Sequence, residues 1–396
     1  MDNYLRFIFA IFLPIDSLYF FLGETGTLFF QTFPVSIFFG FLIILINLQK
    51  VKKILNDFRI KGFIFLFLYL SFIFFVNLLL TQSNFNLFLE SGIRQLISFL
   101  FGLVYLIVFV LISKTDYKNF LNGVKLSIFL IFSISLIQFF LMDIRAIGFS
   151  SEPSHLAIVI SCFLFPCALY FNFKAIYPIM LTVSLFLTLS LSGFIFFSFV
   201  ILAMLFSRFK VSSFLVACFL FFLGLQFINN LEIFSDVELF QYLSSNVELI
   251  TIATEDLIYG TSFAIDQSGS ILDRYWSLAG PVIYSFENIN ILGYGFGADT
   301  IYWDKIFDRD IAAYLAEVKT SGRPQISSHF SKLLLFGGVI GILFFWALFF
   351  LSFYRASSKT LFFGFALFSI SLFSLAQFHL FIIYFWLAFV GKIYEK

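Results

Sequence analysis

The sequence predicts an all-α polytopic membrane protein with about twelve transmembrane helices and one large, mostly helical loop on the outer side. Hydrophobic residues make up 61% of the 396 residues and charged residues only 12%, with a mean hydropathy of +1.01. Long apolar runs recur along the chain, and a single polar segment, 229–328, interrupts them. So much apolar side-chain surface is accommodated only where lipid replaces water as the solvent.

The apolar runs define the predicted spans. A helix needs about 20 residues to cross the roughly 30 Å hydrocarbon layer. Runs of this length fall near residues 4–22, 28–48, 62–80, 93–113, 124–142, 154–173, 211–228 and 329–353. Two longer stretches, 176–206 and 360–391, are interrupted by SLSG (190–193) and AQFH (376–379). Each of these stretches is either one long helix or a hairpin of two short helices.

The distribution of basic residues favours hairpins. Basic residues flank both ends of each long stretch: Lys174, Arg208 and Lys210 flank the first, and Arg355, Lys359, Lys392 and Lys396 flank the second. Because cytoplasmic loops are enriched in Lys and Arg, both ends of each stretch are expected in the cytoplasm. The prediction is therefore nine transmembrane helices in residues 1–228, a periplasmic loop at 229–328, three helices in 329–396, and both termini cytoplasmic.

Charge and cysteine content exclude several function classes. The net charge of +1 suggests no nucleic-acid partner, and the three cysteines all lie inside apolar runs. The cysteine pattern therefore indicates no disulfide framework, metal cluster or haem, and we expect no metal and no cofactor. The long loop holds fourteen acidic and five basic residues, which does not conflict with an outer position, since long loops translocate largely regardless of charge.

Two arginines are exceptions on the predicted outer surface. Arg94 lies at the outer mouth of the fourth span, and Arg145 lies just beyond the fifth. A guanidinium group binds phosphate in a bidentate manner, so the pair suggests an anionic ligand. The alternative is that each side chain reaches the lipid interface or pairs with Glu90 or Asp143 nearby.

The segment SSEPSHLA (150–157) opens the sixth span. Pro153 suits the first helical turn, with Ser151 or Glu152 as the cap. The positive end of this helix would then point to the outer face, where phosphate is favoured. Glu152 could orient Arg145 or accept a proton, and His155 could assist. Plain helix capping is the alternative.

The long loop carries further candidates. Residues 268–300 predict a helix and then a turn rich in glycine, GYGFG (293–297). Arg274 and Trp276 share that helix, which suits a phosphate or sugar contacted by a cation and a stacked ring. The glycines follow no clear strand, so we expect tight turns against the membrane domain rather than a nucleotide site. Residues 302–319 predict an amphipathic surface helix, and Arg323 lies in the turn after it.

His329 stands where the chain re-enters the membrane. It follows Ser327 and Ser328, either of which can cap the tenth span. An imidazole at the membrane surface is a plausible general base at neutral pH. A purely structural histidine is the alternative.

Together, EPSHLA (152–157), DRYW (273–276), GYGFG (293–297) and SHFSKLLLFGGVIGILFF (328–345) in this layout resemble the O-antigen polymerase (Wzy-type) family, related to the O-antigen ligases. This chain has Phe330 where relatives often have asparagine, and its SLSG turn lacks an arginine that relatives often carry. The resemblance implies a lipid-dependent glycosyltransferase fold (GT-C type) in the bacterial inner membrane. It also implies metal-independent polymerisation of undecaprenyl-pyrophosphate-linked repeat units at the periplasmic face.

The resemblance also implies roles for the candidate residues and for the partners. His329 or Glu152 would be the base, and the contacts to pyrophosphate or sugar would come from Arg94, Arg145, Arg274, Arg323, Trp276 and His155. The expected partners are lipid-linked oligosaccharides, the bilayer and a chain-length regulator. Two alternatives stay open: a ligase that transfers glycan to lipid A–core, and a flippase or transporter without catalysis. Transport is disfavoured because ionisable residues are scarce in the middle of the spans.

Overall fold

A computed structural model describes residues 1–15, 34–80, 85–115, 117–149, 153–190, 193–194, 196–198, 200–201, 238–259, 270–307, 309–318, 326, 328–353 and 380–390. The regular elements within these residues are all helices. The predicted all-α class is therefore confirmed for the described part of the chain.

The helices follow one another along the whole chain. In the first part they are α1 (Asp2–Phe12), α2 (Val35–Ile46), α3 (Leu48–Ile54), α4 (Phe58–Leu80), α5 (Phe85–Lys114), α6 (Lys118–Leu141), α7 (Pro153–Tyr170) and α8 (Ile176–Thr188). In the second part they are α9 (Glu238–Tyr259), α10 (Ser270–Glu287), α11 (Ala298–Ile301), α12 (Trp303–Ile306), α13 (Arg309–Val318), α14 (His329–Phe353) and α15 (Leu380–Val390).

Five of the described helices, α4, α5, α6, α7 and α14, are long and apolar enough to cross a membrane. The helices α2 and α3 together form a sixth candidate span, bent by 94°. These helices identify the chain as a membrane protein. The predicted span at 211–228 and residues 360–379 of the last predicted hairpin lie outside the described residues.

Helix α5 is the centre of the helix assembly. Its residues from Val104 to Ser113 are buried on every side, which is typical of a helix surrounded by other helices rather than by lipid. The helices α2, α4 and α15 pack around it. Close approach is possible because Gly102 leaves no room for a side chain: a Cβ there would lie 2.5 Å from the ring of Tyr384.

A polar network ties several helix ends together at the predicted cytoplasmic end of α5. Asp57 accepts hydrogen bonds from Arg59 at 2.6 and 2.8 Å and forms a 3.0 Å ion pair with Lys114. Arg59 also donates to the carbonyl oxygens of Leu387 and Ala388 near the end of α15, at 3.4 and 2.8 Å. The guanidinium thus satisfies carbonyls that lack helical partners at a C-terminus.

The stretch 176–206 turns back on itself after α8. Leu189, at the end of the helix, has a left-handed backbone conformation (φ 47°). Beyond it, the Ser161 hydroxyl donates to the carbonyl of Gly193 at 3.2 Å, and the rings of Phe165 and Phe197 lie 4.8 Å apart. The described residues 193–194, 196–198 and 200–201 therefore run alongside α7 in the same direction.

Helix α7 is irregular in its middle. Ile160–Leu164 form a π-helical turn, and Pro166 follows it. Proline has no N–H to offer the carbonyl of Cys162 four residues earlier. The indole nitrogen of Trp386 donates to that carbonyl at 2.9 Å, so α15 supplies the hydrogen bond that the proline removes.

Replacing Trp386 should show how much the stability of α7 depends on this hydrogen bond. We expect Trp386→Phe to lower the free energy of unfolding by about 1–3 kcal/mol, because a buried carbonyl loses its donor. Pro166→Ala restores a backbone N–H, so the same tryptophan change should cost less in that background, a comparison that a double-mutant cycle measures. Equal losses in both backgrounds, by thermal unfolding of the purified protein, would contradict this account.

The Asp57 network predicts a pH dependence. Burial alone would raise the pKa of Asp57, but the hydrogen bonds and charge of Arg59, together with Lys114, lower it from 3.8 to about 2. A lowered folded-state pKa stabilises the protein above the unfolded-state pKa, and this stabilisation, about 2 kcal/mol, is lost as the pH falls from about 4 towards 2.

The check is thermal unfolding as a function of pH. Asp57→Asn should flatten the profile between pH 4 and pH 2 and should cost about 3–5 kcal/mol at neutral pH, since it leaves the buried Arg59 charge without its carboxylate. Asp304→Asn, at an exposed position, is the control and should change neither quantity. An unchanged profile in Asp57→Asn would refute the assignment.

Candidate functional site

Helix α14 begins with the predicted serine cap. The backbone N–H of Ser331 donates to the hydroxyl oxygen of Ser328 at 3.3 Å, which satisfies one of the amides that lack a helical partner. Ser331 in turn donates its hydroxyl to the carbonyl of Leu278 in α10 at 2.8 Å. The first turn of α14 is thus anchored to the polar segment of the chain as well as capped.

His329 and Lys332 lie on the same face of this first turn. They are three residues apart, the spacing that places side chains side by side on a helix. Both are buried, with 8% and 4% of their surfaces exposed. They line one side of a crevice of about 30 Å³, and α5 contributes Gln95 and Ser98 to the same crevice. The remaining lining residues are apolar: Leu70, Phe99, Phe296, Leu333 and Phe336.

Arg94 neighbours this crevice on α5, next to Gln95. The Nε of Arg94 and the amide nitrogen of Gln95 are buried and have no hydrogen-bond partner among the residues that the structure describes. A buried donor without an acceptor costs free energy, about 1–3 kcal/mol. Gln95 lines the crevice, so its amide nitrogen is available to an acceptor bound there, whereas Arg94 lies outside the lining.

The neighbouring helix α11 carries a buried carboxylate. Asp299 is 1% exposed and lies on α11, which packs against both α5 and α14. Its neighbour Thr300 donates its hydroxyl to the Ser91 hydroxyl of α5 at 2.7 Å. In the lining of the crevice itself, Lys332 and the N-terminus of α14 contribute positive charge. Such a site favours an anion.

Helix α14 is broken one residue after Gly337. Gly338 has φ 60° and ψ −162°, far from helical values. Segment 290–295 fills the break with backbone hydrogen bonds: Tyr294 and Gly295 donate to the carbonyls of Leu335 and Phe336, both at 2.9 Å. In return, Val339 and Ile340 donate to the carbonyls of Asn290 and Ile291, both at 3.1 Å.

The side chain of Asn290 forms hydrogen bonds with both α14 and segment 290–295. Its side-chain nitrogen donates to the carbonyl of Leu334 at 3.1 Å, and its side-chain oxygen accepts from the N–H of Gly293 at 2.8 Å. Tyr69, in the middle of α4, donates its hydroxyl to the carbonyl of Leu292 at 2.7 Å. Segment 290–295 therefore reaches the mid-length of a spanning helix, although it belongs to the part of the chain predicted as an outer loop.

The glycines of GYGFG permit this close approach. A Cβ at Gly293 (φ +87°) would lie 2.2 Å from the carbonyl oxygen of Phe336, and one at Gly295 (φ +80°) would lie 2.4 Å from the Cα of Phe74. Both positions also need a backbone conformation that glycine adopts at little cost. The prediction that these glycines make tight turns against the membrane domain is confirmed.

Arg145 has a different environment from Arg94. Its Nε donates to the carbonyl of Thr188 at 3.0 Å, and an Nη donates to that of Leu189 at 2.5 Å. The guanidinium thus caps the C-terminus of α8, while its side chain stays exposed. The described contacts give Arg145 a structural role, and they hold it away from the lining of the crevice.

The other predicted site residues are distributed as follows. His155 is buried at 5% exposure in the first turn of α7, which packs against α8. Trp276 is fully buried, and its indole nitrogen donates to the carbonyl of Ala253 at 3.2 Å. Trp276 is therefore a core residue, and its ring is not available for stacking on a sugar. Arg274 lies on α10, whereas Glu152 and Arg323 lie outside the described residues.

Sequence reasoning missed Lys332 and Gln95. The signal for Lys332 was present, because a lysine inside an apolar span is expensive and therefore a functional suspect. Its position one turn after His329 was a second signal. Gln95 follows Arg94 directly and is distinguished only by its place in the lining of the crevice between α5 and α14.

No protein-family model matches this chain, and no curated protein matches its sequence. Within the described residues, no group of three or more His, Cys, Asp or Glu side chains could hold a metal ion. The crevice brings together a buried lysine and a histidine from the first turn of α14 with a serine and a glutamine from α5.

The break in α14 gives a sharp prediction about its glycines. In Gly338→Ala, the added Cβ would lie 2.3 Å from the carbonyl oxygen of Ile291, at a positive φ, so we expect a loss of more than about 3 kcal/mol or failure to fold. Gly341→Ala is the matched control, since its Cβ would meet nothing closer than 3.7 Å. It should be neutral or stabilising by up to about 1 kcal/mol.

Thermal unfolding and the yield of monodisperse protein measure both variants. If Gly338→Ala were as stable as Gly341→Ala, the backbone junction described here would be wrong.

Proposed function

We propose that this protein is a membrane glycosyltransferase of the O-antigen polymerase type, which joins lipid-linked oligosaccharide repeat units at the outer face of a bacterial inner membrane. The observation that carries the proposal is the crevice that Gln95 and Ser98 of α5 line together with His329 and Lys332 of α14, with the buried Nε of Arg94 next to Gln95 in the sequence of α5. A leaving diphosphate on a polyprenyl carrier would need cations and donors at this depth, close to the lipid.

The chemistry assigns a role to each side of the crevice. The acceptor hydroxyl oxygen attacks the anomeric carbon of the donor sugar, and the bond from that carbon to the diphosphate oxygen breaks. The diphosphate leaves with the bonding electrons, and Arg94 and Lys332 stabilise its charge. The proton of the acceptor hydroxyl passes to the imidazole of His329, the candidate general base.

The crevice must widen for this reaction. Its volume of about 30 Å³ has room for about two water molecules, so a diphosphate does not fit between the present walls. Phe296 and Phe336 form part of the lining, with ring centroids 6.0 Å apart. Because both rings are held by the junction between GYGFG and α14, a small shift of that segment would open the crevice.

The cluster also separates this proposal from transport. A carrier needs polar groups along a path through the membrane, whereas Arg94 and Gln95 lie about 30 Å along α5 from Lys114. A ligase that uses lipid A–core as the acceptor shares the leaving group and therefore the same cations, so the acceptor is decided by the experiment.

The test is complementation of a strain that lacks the gene. Lys332→Met keeps the length of the side chain and removes its charge, and His329→Gln removes the base. We expect each to lower polysaccharide production by about 10²–10³-fold at normal protein level in the membrane, the usual effect of losing one such stabilising group. Lys332→Arg should restore part of the activity because it restores the charge.

The control is Lys305→Gln, which removes an exposed lysine from the same polar segment and should leave the polysaccharide ladder unchanged. If the ladder is lost and the lipid A–core carries single repeat units, the result supports polymerisation. Lipid A–core without any repeat unit would instead identify a ligase. Full ladders from both Lys332→Met and His329→Gln would disprove the proposed site.

A further inference from the structure

A second concave surface lies between α6 and α8, at the end of these helices opposite to the crevice. It is a groove of about 410 Å³, more than ten times the volume of the crevice. Its walls are formed by Asn122, Lys125, Leu126 and Phe129 of α6 and by Ile176, Tyr177 and Met180 of α8. A groove of this volume has room for part of a small organic molecule or lipid.

The groove has a polar mouth and an apolar interior. Asn122, Lys125 and Tyr177 lie within the first two turns of α6 and the first turn of α8. Phe129 and Met180 lie about one turn farther along the same two helices. Both helices start at the mouth, so the side chains that line the groove change from polar at the mouth to apolar farther along the helices. This gradient matches a molecule with a polar head and an apolar tail.

The mouth is positively charged. The ammonium group of Lys125 lies 4.9 Å from the centroid of the Phe173 ring, a cation–π contact that holds the charge at the entrance. Lys174 follows Phe173 and is exposed, and Lys118 begins α6. The residues that line the groove include no acidic side chain. The charge therefore favours an anionic head group.

The apolar interior is uncovered. Phe129, which belongs to the spanning helix α6, is 51% exposed. In a spanning helix such side chains face hydrocarbon, so the natural occupant of the groove carries an acyl chain. Basic pockets between transmembrane helices on the cytoplasmic side are suited to anionic lipids, and the charge pattern of the sequence predicts that side for Lys125 and Lys174.

We propose that the groove between α6 and α8 binds an anionic phospholipid of the inner leaflet. Its phosphate lies against Lys125 and Asn122, and one acyl chain lies along Leu126, Phe129 and Met180. This site is independent of the proposed glycosyl transfer, since it lies at the other end of the helices and shares no residue with the crevice.

The test is lipid binding to the purified, delipidated full-length protein, followed by native mass spectrometry. Phosphatidylglycerol is compared with phosphatidylcholine of identical acyl chains. We expect phosphatidylglycerol to bind about fivefold or more tightly, and Lys125→Gln to abolish that preference. Leu126→Trp keeps the charge but fills the groove, and it should weaken binding of phosphatidylglycerol by a similar factor. Lys305→Gln is the control for a general loss of charge and should bind like the unchanged protein.

Each outcome bears on the proposal. Equal binding of the two lipids would overturn recognition of the anionic head. Normal lipid binding by Leu126→Trp would overturn the position of the acyl chain. If inorganic phosphate displaced the lipid at millimolar concentration, the site would recognise phosphate alone and the lipid assignment would fail. Polysaccharide ladders from Lys125→Gln should be normal, which separates failure of this site from failure of the proposed enzyme.

Discussion

A backbone amide or carbonyl that loses its helical partner inside a membrane span must find another partner, because lipid offers none. The break in α14 at Gly338 creates this requirement in the middle of a spanning helix. Segment 290–295 meets it by pairing with residues 335–340 on both sides of the break. The position of the polar segment relative to the membrane helices depends on this exchange of hydrogen bonds.

The same junction positions the candidate site. Segment 290–295 holds α14 at its break, and the first turn of the same helix carries His329 and Lys332, which line the crevice together with Gln95 and Ser98 of α5. The segment then continues through Phe296, which lines the crevice, to α11, which carries Asp299. The GYGFG motif therefore contributes to the site through its backbone, by bringing chain segments together, and its glycines need not contact any ligand.

Other polar side chains in this protein satisfy interrupted helices in a similar way. Trp386 bonds the carbonyl that Pro166 leaves open in α7, Arg145 caps α8, and Arg59 bonds carbonyls near the end of α15. Arg94 and Arg145, which have similar predicted roles, thus differ in their hydrogen-bond partners. Arg145 is bonded to a helix end, whereas the Nε of Arg94 is a buried donor without a described acceptor. That difference makes Arg94 the stronger candidate for binding an anion.

By itself, the sequence determined the helical membrane class, most of the described spans, the serine cap of α14 and the glycine turns, because apolar periodicity, length and capping chemistry are local properties of the chain. It also pointed to Arg94 and His329. Only the tertiary structure decided that Gly338 breaks α14, that Trp276 is a core residue, that Arg145 caps α8, and that Lys332 and Gln95 join the site. These outcomes depend on which backbone groups and side chains meet across helices distant in sequence, and hydropathy does not encode such pairings.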